Sequence, residues 1–148
     1  DPLMTVIVKD DGFHADDWTA GFENPENVDA GQGIDLGPDA DLDYLMLQLS
    51  GAPMIRIRFP SFADGRGFTL ARLLRTRGYT GRLRAVGHVI SDQYAMARRA
   101  GFDEVEIDAS LAARQPVAEW VFRADWQFND PRARLRAAPK DLATSKAA

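Results

Sequence analysis

Cysteine is absent from all 148 residues, and with it go disulfides, thiolate-held zinc, cysteine-bound iron–sulfur clusters and a thiol nucleophile. Histidine is scarce: only His14 and His88 occur, too few for a histidine-rich metal site. No apolar run approaches the roughly 18 residues of a membrane-spanning helix, so no membrane partner is expected. No basic-then-apolar leader opens the chain, so export is not expected, and Asp1-Pro2-Leu3 ahead of Met4 read as an added remnant outside the fold. Neither a Walker A loop nor a G-x-G-x-x-G string is present, and no cofactor is expected. What remains is ordinary for a globular chain: 45% apolar and 27% charged residues, 12 glycines and 8 prolines, at a length that suits one domain.

The net charge of −4 hides an asymmetry. Residues 1–52 carry twelve acids against Lys9 alone, whereas residues 53–102 carry ten arginines against Asp64 and Asp92. Either the acidic stretch folds against the basic one, the commoner outcome, or the basic block forms an anion-binding surface. Nucleic acid is not expected as a partner, because interleaved aromatics and a recognition-helix pattern are missing and the pI is about 5.1.

Residues 4–38 read as an acidic N-terminal segment, 39–128 as an α/β core, and 132–148, rich in Ala, Arg and Lys, as a frayed helix and a partly disordered tail. Thr5–Val8 suits a strand and Asp10-Asp11-Gly12 a turn. Residues 13–33 lack regular signals, and Phe13, Trp18 and Phe22 would pin them to the body. Ile34-Asp35-Leu36 reads as a very short strand, and 39–49 as a buried helix with a strand as runner-up. Residues 54–59 alternate in strand fashion; Phe68 to Leu74 form an apolar helical face with Arg72, Arg75 and Arg77 turned outward. A second strand follows over 83–90, a helix over 93–99 capped by Ser91-Asp92, and a third strand over 104–107. The expected class is α/β: a parallel strand-helix-strand-helix-strand core, half-barrel-like or a Rossmann-like open sheet. A short helix is expected over 110–114, then Trp120-Val121-Phe122, Trp126 and Phe128 offered to an edge strand or a partner, and a turn at 129–131. So small a sheet leaves edges and faces to cover, and a homo-oligomer is expected.

Parallel sheets bind ligands at the carboxyl ends of their strands, and two loops fall there. In the first, Asp64-Gly65-Arg66-Gly67 combines glycines that permit close backbone approach with an arginine suited to a small oxyanion. Its competing reading is a turn whose acid caps the helix and whose arginine pairs internally. In the second, His88 lies near Asp92 and Gln93; His88 and Asp92 are the candidate catalytic acid–base groups, and Asp64, Gly65, Arg66, Gly67 and Gln93 the candidate anion-binding set. A structural hydrogen bond for His88 and a cap for Asp92 are the plainer alternatives. Ser61 and Ser91 lack a G-x-S-x-G elbow, no two acids stand out as a glycosidase pair, and no metal site is expected.

The string Phe59-Pro60-Ser61-Phe62-Ala63-Asp64-Gly65-Arg66-Gly67-Phe68, followed in order by Gly81-Arg82-Leu83-Arg84-Ala85-Val86-Gly87, Asp92-Gln93 and Arg99-Ala100-Gly101-Phe102-Asp103, closely resembles the bacterial domain-of-unknown-function 934 family over about residues 40–128. Members of that family are commonly encoded beside assimilatory sulfite reductase and adenylyl-sulfate reductase genes. The resemblance therefore implies a cytoplasmic accessory of sulfate assimilation with one of those reductases as its partner. The alternative it leaves open is a small enzyme, an oxidoreductase in the labels some members carry, binding a sulfur- or phosphorus-containing anion at the 64–67 and 88–93 loops. No catalytic residue carries across from the family.

Overall fold

The computed structural model describes residues 5–125. In chain order the elements are β1 (Thr5–Lys9), β2 (Gly12–His14), β3 (Phe22–Glu23), β4 (Gly33–Leu36), α1 (Leu42–Leu49), β5 (Met54–Phe59), α2 (Arg66–Thr76), β6 (Arg82–Gly87), a 3-10 turn (Ser91–Gln93), α3 (Tyr94–Ala100), β7 (Glu104–Asp108), α4 (Ala109–Arg114) and α5 (Val117–Phe122). The chain is mixed α/β. Its seven strands form one mostly parallel sheet in the order β2-β1-β7-β6-β5-β4-β3. Strands β3 to β7 are parallel neighbours, and the β1–β2 hairpin joins β7 antiparallel. Among the described residues no pairing joins β2 to β3, so the sheet is open.

Strand alternation divides the sheet into two unlike faces. Ile55, Ile57 and Phe59 of β5, Leu83 and Ala85 of β6, and Val105 and Ile107 of β7 share one core with Leu42, Leu45 and Leu49 of α1, Phe68, Ala71 and Leu74 of α2, and Tyr94 and Ala97 of α3. Consecutive parallel neighbours joined by right-handed crossovers place their helices on a single side, which is why this face holds the core.

The other face carries an ionic row. Asp35, Arg56, Arg84 and Glu104 sit opposite one another across β4, β5, β6 and β7. Arg84 is fully buried and donates to Glu104 (2.6 Å) and Glu106 (2.9 Å). Arg56 bridges Asp35 (2.6 and 2.9 Å) to Glu106 (3.0 Å), and Arg82 reaches Glu104 (3.0 Å). A strap between β2 and β4 lies over this row. Asp16 accepts both terminal nitrogens of Arg84 (3.1 and 3.0 Å), Asp17 pairs with Arg82, and the Arg56 guanidinium lies 3.7 Å from the centre of the Phe22 ring. Such a cation–π contact is worth about 1 kcal/mol.

The acidic and basic blocks thus fold against each other. Asp10 pairs with Arg98, Asp16 with Arg84, Asp17 with Arg82, Asp35 with Arg56 and Asp43 with Arg77.

Several local expectations are corrected. Residues 13–33 take in the end of β2 and all of β3, strands too short to carry a periodicity of their own. Arg75 does not face outward: it donates to the carbonyls of Gly101, Tyr79 and Gly81 and to Asp103, tying the end of α2 to the start of β7. Trp120-Val121-Phe122 lie in a helix that packs beside the edge strand β2, and Trp120 is fully buried, its ring edge-on to Tyr94 and its indole N–H donating to the Gln115 carbonyl. The 93–99 helix begins one residue later, after the 3-10 turn. The expectations for Trp126, Phe128, the turn at 129–131 and the tail at 132–148 lie outside the described residues, as do residues 1–4.

Candidate functional site at the carboxyl rim

The in-register pairing of β5 with β6 ends with Phe59 opposite Gly87, so the loops that leave both strands start side by side. The His88 amide donates to the Phe59 carbonyl (3.0 Å). Gly87 sits at φ +111, and a Cβ there would stand 2.6 Å from the Phe59 oxygen; a larger residue would suffer both the backbone conformation and the contact. Beyond this point the loops meet through side chains. The Phe62 ring stacks on the His88 imidazole, with centroids 5.1 Å apart and planes at 30°. Gln93 clamps the pair: its amide donates to the Phe62 carbonyl (2.9 Å) while its oxygen accepts the Ile90 amide (3.1 Å).

The other candidate residues hold partners of their own. Arg66 donates to both oxygens of Asp64 (3.0 and 2.7 Å), and the Arg66 amide adds a third bond (3.1 Å). These bonds hold the Asp64 carboxyl at about 2, well below the usual carboxylate range, and the same bonds raise Arg66 further above its already high value. Gly65 is the N-cap of α2 and Gly67 lies in its first turn. A Cβ on Gly67 would fall 2.5 Å from the Phe59 ring, so that glycine is required by the seating of α2 on the strand end.

Asp92 makes no hydrogen bond to His88. It accepts from Arg123 (2.8 Å) across a second cleft, of ≈ 530 Å³, where Gln115 accepts the Ser91 amide (2.6 Å) and Glu119 the Ser91 hydroxyl (3.4 Å). The structure therefore brings Phe62, His88 and Gln93 together, while His88 and Asp92, the two candidate acid–base groups, share no hydrogen bond. Among the described residues no carboxylate bonds the His88 ring, and no group of His, Asp or Glu side chains is arranged to hold a metal ion. Among them, too, no helix is long and apolar enough to cross a membrane.

Sequence reasoning missed Phe62, whose only signal was its place inside the F-P-x-F string, and Arg58, one of three arginines between Pro53 and Phe102 without an ion pair among the described residues. Arg58 stands at the carboxyl end of β5 beside a smaller cleft of ≈ 390 Å³.

Among curated proteins none matches the chain. The family described as bacterial protein of unknown function (DUF934) matches residues 33–129, a span running from β4 through β7 and taking in both rim loops, the ionic row and the α5 cleft. With well over half its length inside that match, the chain belongs to the DUF934 family.

Proposed function

We propose that the protein is a noncatalytic accessory of assimilatory sulfite reduction that docks a sulfite-reducing enzyme, or adenylyl-sulfate reductase, through the carboxyl rim of its sheet. One observation carries the docking part. The polar side chains of the rim loops hold one another, Asp64 on Arg66, Gln93 on Phe62 and Ile90, and Asp92 on Arg123, so the rim presents exposed aromatic rings among charges that are already paired. Phe62 is 42% exposed over His88 and Phe122 is 73% exposed. Exposed rings set among charged groups suit the buried centre of a protein interface better than a small-anion site. The pathway, and with it a cytoplasmic setting, rests on the family resemblance.

The test is calorimetry and size-exclusion of the purified protein with each reductase from its own organism. A complex is expected, weakened about tenfold or more by Phe62→Ala or Phe122→Ala, the loss typical of an aromatic anchor. Failure of both reductases to bind overturns the reading.

A second reading is favoured by one observation: Arg66 is 60% exposed, and only its Nε and Nη2 bond Asp64, so Nη1 is left for a guest. That reading is a small enzyme taking sulfite, sulfate, adenylyl sulfate or phosphate between the two loops, with His88 or Asp92 moving the proton. Titration of those four anions decides it, an Arg66→Ala-sensitive site being the outcome in its favour.

A further inference from the structure

The cleft beside Arg58 lies at the carboxyl ends of β4 and β5, where a parallel sheet most often receives a small molecule. Its walls are aliphatic and aromatic: Pro25, Leu36, Ala40 and Leu45, with Tyr44 at 77% exposure beside them. Its ionic lining sorts into committed and uncommitted groups. Both oxygens of Asp35 are held by Arg56, and one oxygen of Asp41 caps α1 by accepting the Tyr44 amide (3.3 Å). Among the described residues Arg58 and Glu26 have no side-chain partner, so one cation and one anion face the cleft unpaired.

Gly37 sets the position of the arginine. A Cβ on Gly37 would stand 3.0 Å from Arg58 Nη2 and 3.1 Å from Asp39 Oδ1, so the guanidinium lies against bare backbone at the mouth of the cleft. Asp39 makes no hydrogen bond or ion pair of its own among the described residues, although its charge is felt by Arg66. A lone oxyanion would gain Arg58 but meet Glu26, Asp39 and the free oxygen of Asp41, a local surplus of negative charge that opposes it. A lone amine would leave the guanidinium unanswered. A molecule bearing both a carboxylate and an ammonium satisfies both sides.

From this we infer that the cleft at the ends of β4 and β5 is a binding site for a small apolar α-amino acid, its carboxylate on Arg58, its ammonium toward Glu26 and its side chain against Pro25, Ala40 and Leu45. The volume lies within the range of small-molecule sites. The site shares no residue with the aromatic anchors of the rim: neither Phe62 nor Phe122 lines it.

The test is amide NMR titration of the full chain with L-valine, L-leucine, L-isoleucine and L-phenylalanine, alongside 4-methylpentanoate, isoamylamine and sodium sulfate. At least one amino acid is expected to shift the amides of Gly37, Tyr44 and Arg58 saturably, with the carboxylate-only and amine-only probes binding at least about tenfold more weakly, the loss of one charge-assisted bond. Arg58→Gln and Glu26→Gln should each weaken that amino acid about tenfold. The amide spectrum of each variant reports its folding, and Arg58→Lys, which keeps the charge and loses the fork, provides a second variant at the same position. The inference is overturned by three outcomes: no saturable shift with any of the four amino acids, sulfate or 4-methylpentanoate binding as tightly as the best of them, or affinity unchanged in Arg58→Gln. None of these outcomes bears on whether a reductase binds the rim.

Discussion

Arg72 and Arg75 look alike on a helical wheel, three residues apart on the polar side of α2, yet the fold treats them differently. Arg72 stays on the exposed surface, while Arg75 turns under the helix end and satisfies carbonyls belonging to three separate loop residues. Hydrogen bonds from a charged donor to half-buried carbonyls are costly to lose. Arg75→Ala is therefore expected to destabilise the protein by about 2–3 kcal/mol in urea unfolding, and Arg72→Ala by no more than about 0.5 kcal/mol. Equal effects would refute the distinction. The wheel could not have separated them, because the carbonyls that recruit Arg75 come from Tyr79, Gly81 and Gly101, which reach it only after the chain has turned. The Asp64–Arg66 pair was legible for the opposite reason: two residues apart, it needs no fold to meet.

At the scale of elements, whereas β6 buries Leu83, Arg84 and Ala85 in succession, β5 and α2 announce themselves through periodicity, since each buries one side more than the other. β2 and β3 do not, because two or three residues hold no period and their pairing comes from neighbours. The helix at 117–122 was hidden by its own composition: Trp, Val and Phe favour strands locally, and burial of Trp120 against Tyr94 overrides that preference.

The strap is the element most exposed to solution conditions. Burial pushes the Asp16 carboxyl up, but the Arg84 bonds, the Trp18 amide and the Arg84 charge outweigh it and leave it lowered; the Arg82 bond chiefly lowers Asp17. A carboxylate lowered by folding contributes stability that is complete above its ordinary value of 3.8 and is lost as pH falls through the lowered one. With 5-fluorotryptophan incorporated, the fluorine signal of Trp18 is expected to stay put at pH 5 and to move below the ordinary aspartate value, ahead of that of buried Trp120. Both signals moving together would mean that the strap is not a separate unit.

For the molecule as a whole, the α/β class with a mostly parallel sheet was legible, because strands alternating with helices of crossover length admit few other arrangements. The uneven charge was legible as well, and of its two readings the internal one describes five ion pairs that join the front of the chain to its middle. What could not be read was the ionic row itself. The alternation of Arg82 and Arg84 and of Glu104 and Glu106 is visible, but that these strands lie beside each other in matching register is a property of the sheet. Arg84 is the keystone of that register. Arg84→Leu would leave Glu104 and Glu106 buried with less compensation, and a loss of about 3–5 kcal/mol in global stability is expected by chemical unfolding. A loss below about 1 kcal/mol would show that the neighbouring Arg56 and Arg82 suffice.

Gly67 has a wider consequence. Its lack of a side chain is dictated by the ring of Phe59, so the most recognisable string in the chain has a mechanical duty: it seats a helix on a strand. Arg58 and Glu26 bear no such duty. Exchanging them would retune what the cleft accepts while leaving the scaffold intact, so that selectivity and foldability are inscribed at different positions and can drift apart.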